Sequence, residues 1–222
     1  VKLDEDCAVY ICHHCGIAGA IDLASSPPES VTPEDTSSLS ESQFAWLQSR
    51  GISVDTAERC GLISGKVYVR SIGSDVDCVG FQYLNADGST ATKWRDGSKN
   101  FSQTGSARSL WRIGDWGNGD LVVCEGEMDP MSFEQIGIHA VSVPNGAPSP
   151  LSQGGNSAKY SYLWDAKDQI EKAKRIILAT DSDEPGRLLS EEIARRVGKA
   201  RCWRLDYPDG CKDANDVLRK HG

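Results

Sequence analysis

The sequence predicts an α/β fold in which a mostly parallel sheet is flanked by helices and preceded by a smaller α+β part. Residues 118–222 alternate short apolar runs with helical segments, in the order strand, helix, strand, helix, strand, helix, strand. This alternation produces right-handed crossovers and a parallel sheet. Residues 42–117 instead combine two short helical segments with strands that a tight turn connects. The composition, with 39% hydrophobic and 25% charged residues, is that of an ordinary globular protein.

The α+β part is predicted from helix stops and turn residues. Phe44 and Leu47 can share one helix face, and Gly51 ends that helix. Residues 54–60 form a second short helix. Two strands, at residues 66–72 and 78–84, lead into the turn Asn-Ala-Asp-Gly and a further strand, so a hairpin is expected.

The α/β part is predicted from apolar runs and helix signals. Strands are expected at residues 121–124, 138–144, 175–180 and 199–205, and helices at 160–173 and 184–198. Another helix is expected between Asp129-Pro130, as N-cap and first turn, and Gly137. Leu189, Ile193 and Val197 recur at every fourth position and predict a buried helix face.

Acidic side chains follow two of the predicted strands. Glu125 comes directly after the first strand, and Asp181 and Asp183 come after the third. Ligands of open parallel sheets bind beyond the carboxyl ends of the strands, so neighbouring strands would bring these acids together. Clustered carboxylates repel one another unless a cation offsets them. Their hard oxygen atoms favour Mg²⁺, which also accepts phosphate ligands.

Helix capping is an alternative explanation for some of these acids. Asp183 precedes Glu184-Pro185, which is typical of a helix N-terminus. For Asp129 alone the capping interpretation is favoured. For Asp181 it is weaker, because one cap suffices and Asp183 is better placed. Two acid-ended strands at this separation indicate a site more strongly than any single acid does.

Four segments together resemble a known family. Residues 121–137, 141–149, 175–187 and 211–216 resemble the Toprim domain of bacteriophage primase–helicases and Twinkle. The resemblance implies that Glu125 is the first-motif acid and that Asp181 and Asp183 form the metal-holding pair. It further implies roles for five more positions near the site: Asp129 and Asp213 as additional acids at the metal, Lys212 as a basic catalytic residue that faces phosphates, and Asn145-Gly146 as a loop lining the cleft.

The resemblance also implies a function. A Toprim-type primase fragment synthesises short RNA primers from NTPs on a single-stranded DNA template and needs Mg²⁺ or Mn²⁺. A replicative helicase domain, fused or separate, would be its partner, in the cytoplasm of a bacterium or phage-infected host, with an organelle left open. One alternative is an inactive Toprim module that binds single-stranded DNA beside a helicase. Another is strand cleavage, as in Toprim nucleases.

A basic stretch lies upstream of the Toprim-like part. The sequence around Lys93, Arg95 and Lys99 resembles the basic primase subdomain, and these side chains are candidates for contacting nucleotide or template. Solvated charges on a hairpin explain each of them equally well. Trp94 and Trp111 are interpreted as core residues. The net charge of −8 favours weak template contact, since phosphate binding needs cations.

The cysteines near the start predict an incomplete zinc site. Cys12 and Cys15 have structural-zinc spacing, but a closed site needs four ligands. Zinc is therefore expected only in the intact parent protein. The scattered cysteines, such as Cys124 in an apolar strand, are interpreted as free thiols of a reducing compartment. The predicted division is a zinc-ribbon remnant, a flexible linker, a primase subdomain and a catalytic domain, at residues 1–20, 21–41, 42–117 and 118–222.

Overall fold

The computed structural model describes residues 2–4, 7–11, 18–22, 36–147 and 157–222. The strands are β1 Lys2–Asp4, β2 Cys7–Ile11, β3 Ala18–Asp22, β4 Thr36–Ser37, β5 Ile63–Val69, β6 Ser74–Leu84, β7 Thr90–Arg95, β8 Phe101–Thr104, β9 Leu121–Cys124, β10 Ala140–Ser142, β11 Ile176–Ala179 and β12 Cys202–Arg204. The helices are α1 Glu41–Ser49, α2 Val54–Arg59, α3 Met128–Gln135, α4 Tyr162–Asp165, α5 Lys167–Lys172, α6 Glu184–Val197 and α7 Ala214–His221. Strands β1, β2 and β3 form a small antiparallel sheet of their own.

The α+β part is built on a five-stranded antiparallel sheet in the order β4-β5-β6-β7-β8. The predicted turn joins β6 to β7, so the expected hairpin is confirmed. Trp94 of β7 is 1% exposed, and its indole lies over Gly65 and Gly80, where an added Cβ would approach it to 2.7 and 2.5 Å. The prediction that Trp94 belongs to the core is thus confirmed, and Trp111, 1% exposed, is buried likewise.

The α/β part is built on a four-stranded parallel sheet in the order β10-β9-β11-β12. The fold class is confirmed: helices flank a parallel sheet, and a smaller antiparallel α+β part precedes it. Strands β9 and β11 are neighbours, and their register pairs Cys124 with Ala179. Glu125 and Thr180 therefore leave the sheet at the same edge, and Asp181 follows immediately.

Helix α6 follows the predicted pattern. Asp183 is its N-cap, and Leu189 and Ile193 are each 1% exposed in the core beneath the sheet. The single helix predicted at residues 160–173 is wrong. The segment forms two helices, α4 and α5, because the helical conformation is interrupted at Ala166 between them.

Contacts made by Trp111 and by helix α7 connect the two sheets. Trp111 donates its backbone N–H to Ser142 O at 2.9 Å and so joins the connecting segment to β10. Asn215 Nδ2 donates to Arg50 O at the end of α1 and to Ser132 Oγ of α3. Leu218 of α7 packs against the core cluster that contains Leu47. One hydrophobic core thus bridges the α+β and α/β parts.

Within the ranges given above, no helix has both the length and the apolar character needed to cross a bilayer. Cys12, Cys15 and most of the predicted linker lie outside the described residues. The predictions of a zinc half-site and of a flexible segment stay predictions.

Candidate active site

Glu125 lies at the centre of the sheet edge and has an unsatisfied carboxylate oxygen. Its Oε1 accepts the backbone N–H of Ala147 at 3.2 Å. Its Oε2 is buried and has no hydrogen-bond partner in the described part of the chain. Burial, followed by the charge of Asp181, raises the pKa of Glu125, while N–H groups of Ala147 and Asp181 oppose that rise. A buried carboxylate oxygen without a hydrogen-bond donor is chemically suited to bind a cation.

Asp181 and Asp183 leave β11 through a tight turn that requires a glycine. Asp183 Oδ1 accepts the N–H of Gly186 at 3.0 Å and caps α6, so the capping interpretation of Asp183 is confirmed. A Cβ on Gly186 would lie 2.3 Å from Asp181 O. Thr180 Oγ1 closes the same turn by donating to Gly186 O at 2.7 Å. The turn holds Asp181 beside Glu125.

Lys212 neutralises two of the acids. Its Nζ lies 3.0 Å from Asp181 Oδ2 and 2.9 Å from Asp213 Oδ2. Burial opposes the charge of Lys212, but the bonds to Asp213 and Asp181 raise its pKa above the ordinary value. Asp213 is also the N-cap of α7, accepting the N–H of Asp216 at 2.7 Å. The resemblance-based prediction that Lys212 and Asp213 lie at this edge agrees with their positions here.

Asp129 is a buried acid and does not cap a helix. The N-cap of α3 is Glu127, so the capping interpretation of Asp129 is wrong; the helix begins at Met128 and places Asp129 inside its first turn. Asp129 is 6% exposed and accepts the N–H of Asn215 at 3.2 Å. Burial, then the charges of Asp213 and Asp181, raises its pKa well above the ordinary value.

The acids at this edge have the donor chemistry that suits a divalent cation. Glu125 Oε2 lacks a partner, and burial and neighbouring acids raise the pKa of Glu125, Asp181 and Asp129. Hard oxygen donors are the ligands of Mg²⁺. In the described ranges, no group of three or more His, Cys, Asp or Glu side chains is arranged so that it could hold a metal ion. The ammonium of Lys212 lies between Asp181 and Asp213 instead.

A cavity of about 430 Å³ lies beside the acidic edge, between the two sheets. Lys93, Arg95 and Asn145 line it. Lys93 Nζ donates to Glu127 Oε1 at 2.8 Å, and Tyr83 OH donates to the same oxygen at 2.5 Å. Glu127 therefore orients Lys93 at the cavity. Sequence reasoning did not single out Glu127, although it stands two residues from Glu125.

Arg95 and Arg50 are two neighbouring cations. The Arg95 guanidinium lies 5.3 Å from the Trp46 ring, and the Nε atoms of Arg95 and Arg50 are both buried without a hydrogen bond in the described residues. Burial and the nearby charge of Arg50 lower the pKa of Arg95. Arg50 was missed because it follows a surface helix and nothing in the sequence indicates its approach to Arg95.

The remaining predicted residues lie around this cleft. Gly146 has a φ of 62° and stands against Glu125, with an added Cβ 3.9 Å from Oε1, and Asn145 before it is exposed. Lys99 is exposed in the turn between β7 and β8 with a φ of 67° and does not line the cavity. The structure thus brings Lys93, Arg95 and Asn145 together and leaves Lys99 at the periphery.

Comparison with known proteins identifies the family. Residues 122–218 match the Toprim-like family. The chain is 33% identical to the chloroplastic/mitochondrial Twinkle homolog of Arabidopsis thaliana, over 99% of this chain and 34% of the relative. It is 32% identical to the primase homolog protein of Arabidopsis thaliana, over 99% of this chain and 71% of the relative. It is 34% identical to the DNA helicase/primase of Enterobacteria phage T3, over 80% of this chain and 30% of the relative.

Solved structures give the same result. The primase fragment of the bacteriophage T7 primase-helicase protein matches with a TM-score of 0.62 and 26% identity, over 94% of this chain and 84% of that one. A structure of T7 lagging-strand DNA polymerase interacting with primase domains bound to an RNA/DNA hybrid and dTTP matches with a TM-score of 0.60 and 30% identity, over 77% and 82% of the two chains. The chain spans about a third of the Twinkle homolog and of the phage T3 protein, and most of the primase homolog. With its Toprim-like sheet and these relatives, the chain belongs to the Toprim-type primase family.

Proposed function

We propose that this chain is the RNA-polymerizing part of a DNA primase and synthesises short RNA primers on single-stranded DNA. The observation that carries the proposal is the orphaned, buried Oε2 of Glu125 beside Asp181, at the carboxyl edge of two adjacent parallel strands. An unpaired buried carboxylate oxygen is unfavourable in a purely structural site. It is expected where a cation binds during function.

The acidic edge would hold divalent cations. Glu125, Asp181 and Asp183 are the proposed ligands, with Asp129 and Asp213 as further acids behind them. When bound, Mg²⁺ or Mn²⁺ supplies charge stabilisation of the transferring phosphoryl and activation of the attacking 3′-hydroxyl. Asp183 would serve two roles, since Oδ1 caps α6 while Oδ2 has no hydrogen bond within the described residues and would be free to bind the cation.

The cations of the chain would position the substrates. Lys212, which bridges Asp181 and Asp213, carries positive charge to the place where NTP phosphates would approach. Lys93, held by Glu127, and Arg95 face the adjoining cavity and would contact nucleotide or template phosphates. Asn145 lines the cavity, and Gly146 after it stands against Glu125, so this loop would border both the nucleotide and the metal. Lys99 would act only at the periphery.

The test is primer synthesis by the wild-type chain and by Asp181→Asn. On single-stranded DNA with NTPs and Mg²⁺ or Mn²⁺, the wild type should form oligoribonucleotides. The variant should lose roughly 100-fold or more, because metal stabilisation of charge contributes several kcal/mol. Asp168→Asn, on exposed α5, is the matched control and should retain activity. Equal product from Asp181→Asn and wild type would refute the assignment.

The proposal extends to the division of the chain. We propose that residues 1–20, 21–41, 42–117 and 118–222 correspond to a zinc-ribbon part, a linker, a primase subdomain and a catalytic domain. Zinc would bind through Cys12 and Cys15 only together with further ligands. A replicative helicase domain would be the partner, in a bacterial or phage-infected cytoplasm or in an organelle. If the wild type binds single-stranded DNA but makes no primers with either metal, the inactive Toprim module is the better assignment.

A further inference from the structure

One face of the β7–β8 hairpin carries a chemically mixed group of side chains that the acidic site does not use. The register pairs Lys93 with Gln103 and Arg95 with Phe101. Directly opposed residues of an antiparallel pair lie on the same face of the sheet. Two cations, one amide and one aromatic ring therefore stand together, and all four line the cavity of about 430 Å³.

Phe101 is an aromatic residue that the core does not cover. It is 60% exposed, although it lies on a strand and lines the cavity. The Arg95 guanidinium lies 5.6 Å from its ring centroid and 5.3 Å from that of Trp46. The Arg95 guanidinium is thus within cation–π distance of both rings.

The polar atoms around the ring are suited to a nucleotide. Gln103 Nε2 donates to Gly105 O at 2.9 Å, and Oε1 makes no hydrogen bond within the described residues. Lys93 stands on the same face and is held by Glu127 at 2.8 Å. A flat apolar face with an amide and two cations nearby matches a base attached to a phosphate, whereas a purely apolar ligand would leave these polar groups unpaired.

We propose that Phe101 is a stacking platform for a nucleobase, with Lys93 and Arg95 facing the attached phosphate. Base stacking on an aromatic side chain is sequence-tolerant, because every base has a π-face. The base comes either from a single-stranded template or from an NTP, and both present the same face to the ring. The inference deepens the proposed function, since it assigns a substrate subsite beside the acidic edge.

The test measures binding rather than catalysis. Fluorescence anisotropy of a labelled oligodeoxynucleotide and binding of a fluorescent ATP analogue are compared for wild type, Phe101→Ala, Phe101→Leu and Phe101→Trp. The alanine and leucine variants should weaken one of the two ligands by roughly 5- to 100-fold, and the tryptophan variant should stay within about 3-fold of wild type. The ligand that weakens identifies the source of the base.

The matched control is Trp164→Ala, which removes a 73% exposed aromatic outside this cavity. It should bind both ligands as the wild type does. Unchanged binding by Phe101→Ala, equal weakening by Phe101→Trp, or equal weakening by Trp164→Ala would overturn the proposal. If the wild type makes primers but Phe101→Ala binds both ligands normally, only the subsite proposal is refuted. If Phe101→Ala loses binding while the wild type makes no primers, only the proposed polymerase function is refuted.

Discussion

Asp129 is a buried carboxyl whose surroundings disfavour its charge. It is 6% exposed and lies within the influence of Asp213 and Asp181, which, after burial, raise its pKa well above the ordinary 3.8. A carboxyl whose pKa is raised by folding stabilises the folded state below its unfolded pKa. That contribution is lost as the pH rises through the folded pKa. At neutral pH, Asp129 therefore lowers the free energy of unfolding in the absence of bound metal.

Asp129→Asn should raise the Tm of the metal-free protein at pH 7 by roughly 2–4 °C. The amide removes the charge, and its oxygen can still accept the N–H of Asn215. Circular dichroism melting against Asp168→Asn, an exposed control on α5, measures the change. The difference from wild type should shrink as the pH falls from 7 through the raised folded pKa and should be gone below about 4, the unfolded pKa, because Asp129 is then neutral in both states. A lower Tm at pH 7 would contradict this account.

At the scale of single elements, the start of α6 depends on one glycine. Asp183 caps the helix, and Gly186 brings the first turn against the backbone of Asp181. An added Cβ would stand 2.3 Å from Asp181 O, which is backbone and cannot rotate away. The start of α6 and the orientation of Asp181 therefore depend on the same close contact at Gly186.

Gly186→Ala should destabilise the chain by about 1–3 kcal/mol, the usual cost of overpacking. It should also reduce primer synthesis more than stability alone explains, because the turn that holds Asp181 must shift. Urea unfolding and primer assays measure the two effects. Gly114→Ala is the control, since no atom lies within 4 Å of its added Cβ and its φ is not positive. Wild-type stability of Gly186→Ala would contradict the contact.

Elements with local signals were predictable from the sequence, and those that depend on distant contacts were not. β9, β11 and α6 carry apolar runs, a cap and a regular spacing, and each formed as predicted. Helix α7 was missed because Ala-Asn-Asp-Val-Leu-Arg-Lys-His is short and polar. It is held by Leu218 in the core and by the bonds of Asn215 to Arg50 and Ser132. The acidic edge was predictable because strand order places it. The roles of Arg50, Glu127 and Phe101 depend on how the two sheets meet.

At the scale of the whole molecule, a buried charge network joins the two parts. Glu134 of α3 contacts Arg112, which precedes the parallel sheet, at 3.0 Å and Arg59 of α2 at 3.2 Å. Burial opposes the charge of Glu134, but the hydrogen bonds and charges of Arg112 and Arg59 outweigh it and lower its pKa from 4.5. The Arg112 side chain is 8% exposed and also pairs with the exposed Asp115 at 3.2 Å, so loss of Glu134 would remove the less exposed of the two acids that it contacts.

Glu134→Gln should lower the free energy of unfolding at pH 7 by about 1–3 kcal/mol, the range for bonds to charged groups. A depressed carboxyl pKa stabilises above the unfolded value, and this contribution is lost as the pH falls through the folded pKa. The difference between wild type and variant should therefore shrink below about pH 4. Urea titrations from pH 3 to 7 measure it. Glu171→Gln, which breaks the exposed pair with Lys167, is the control and should cost far less. A difference independent of pH would exclude the charged network as its cause.

The indole of Trp94 packs over Gly65 and Gly80 on one face of strand β7, so the two faces of this strand have different surroundings. Backbone pairing with β6 and β8 fixes the strand in its sheet, and on the Trp94 side the bond from Trp94 Nε1 to Thr104 Oγ1 at 3.0 Å adds to it. Lys93 and Arg95 lie on the opposite face, where Lys93 bonds to Glu127 and Arg95 lies 5.3 Å from the Trp46 ring. Substitutions at positions 93 and 95 should therefore leave the backbone pairing of the sheet intact, while positions 65, 80 and 94 change only as a set.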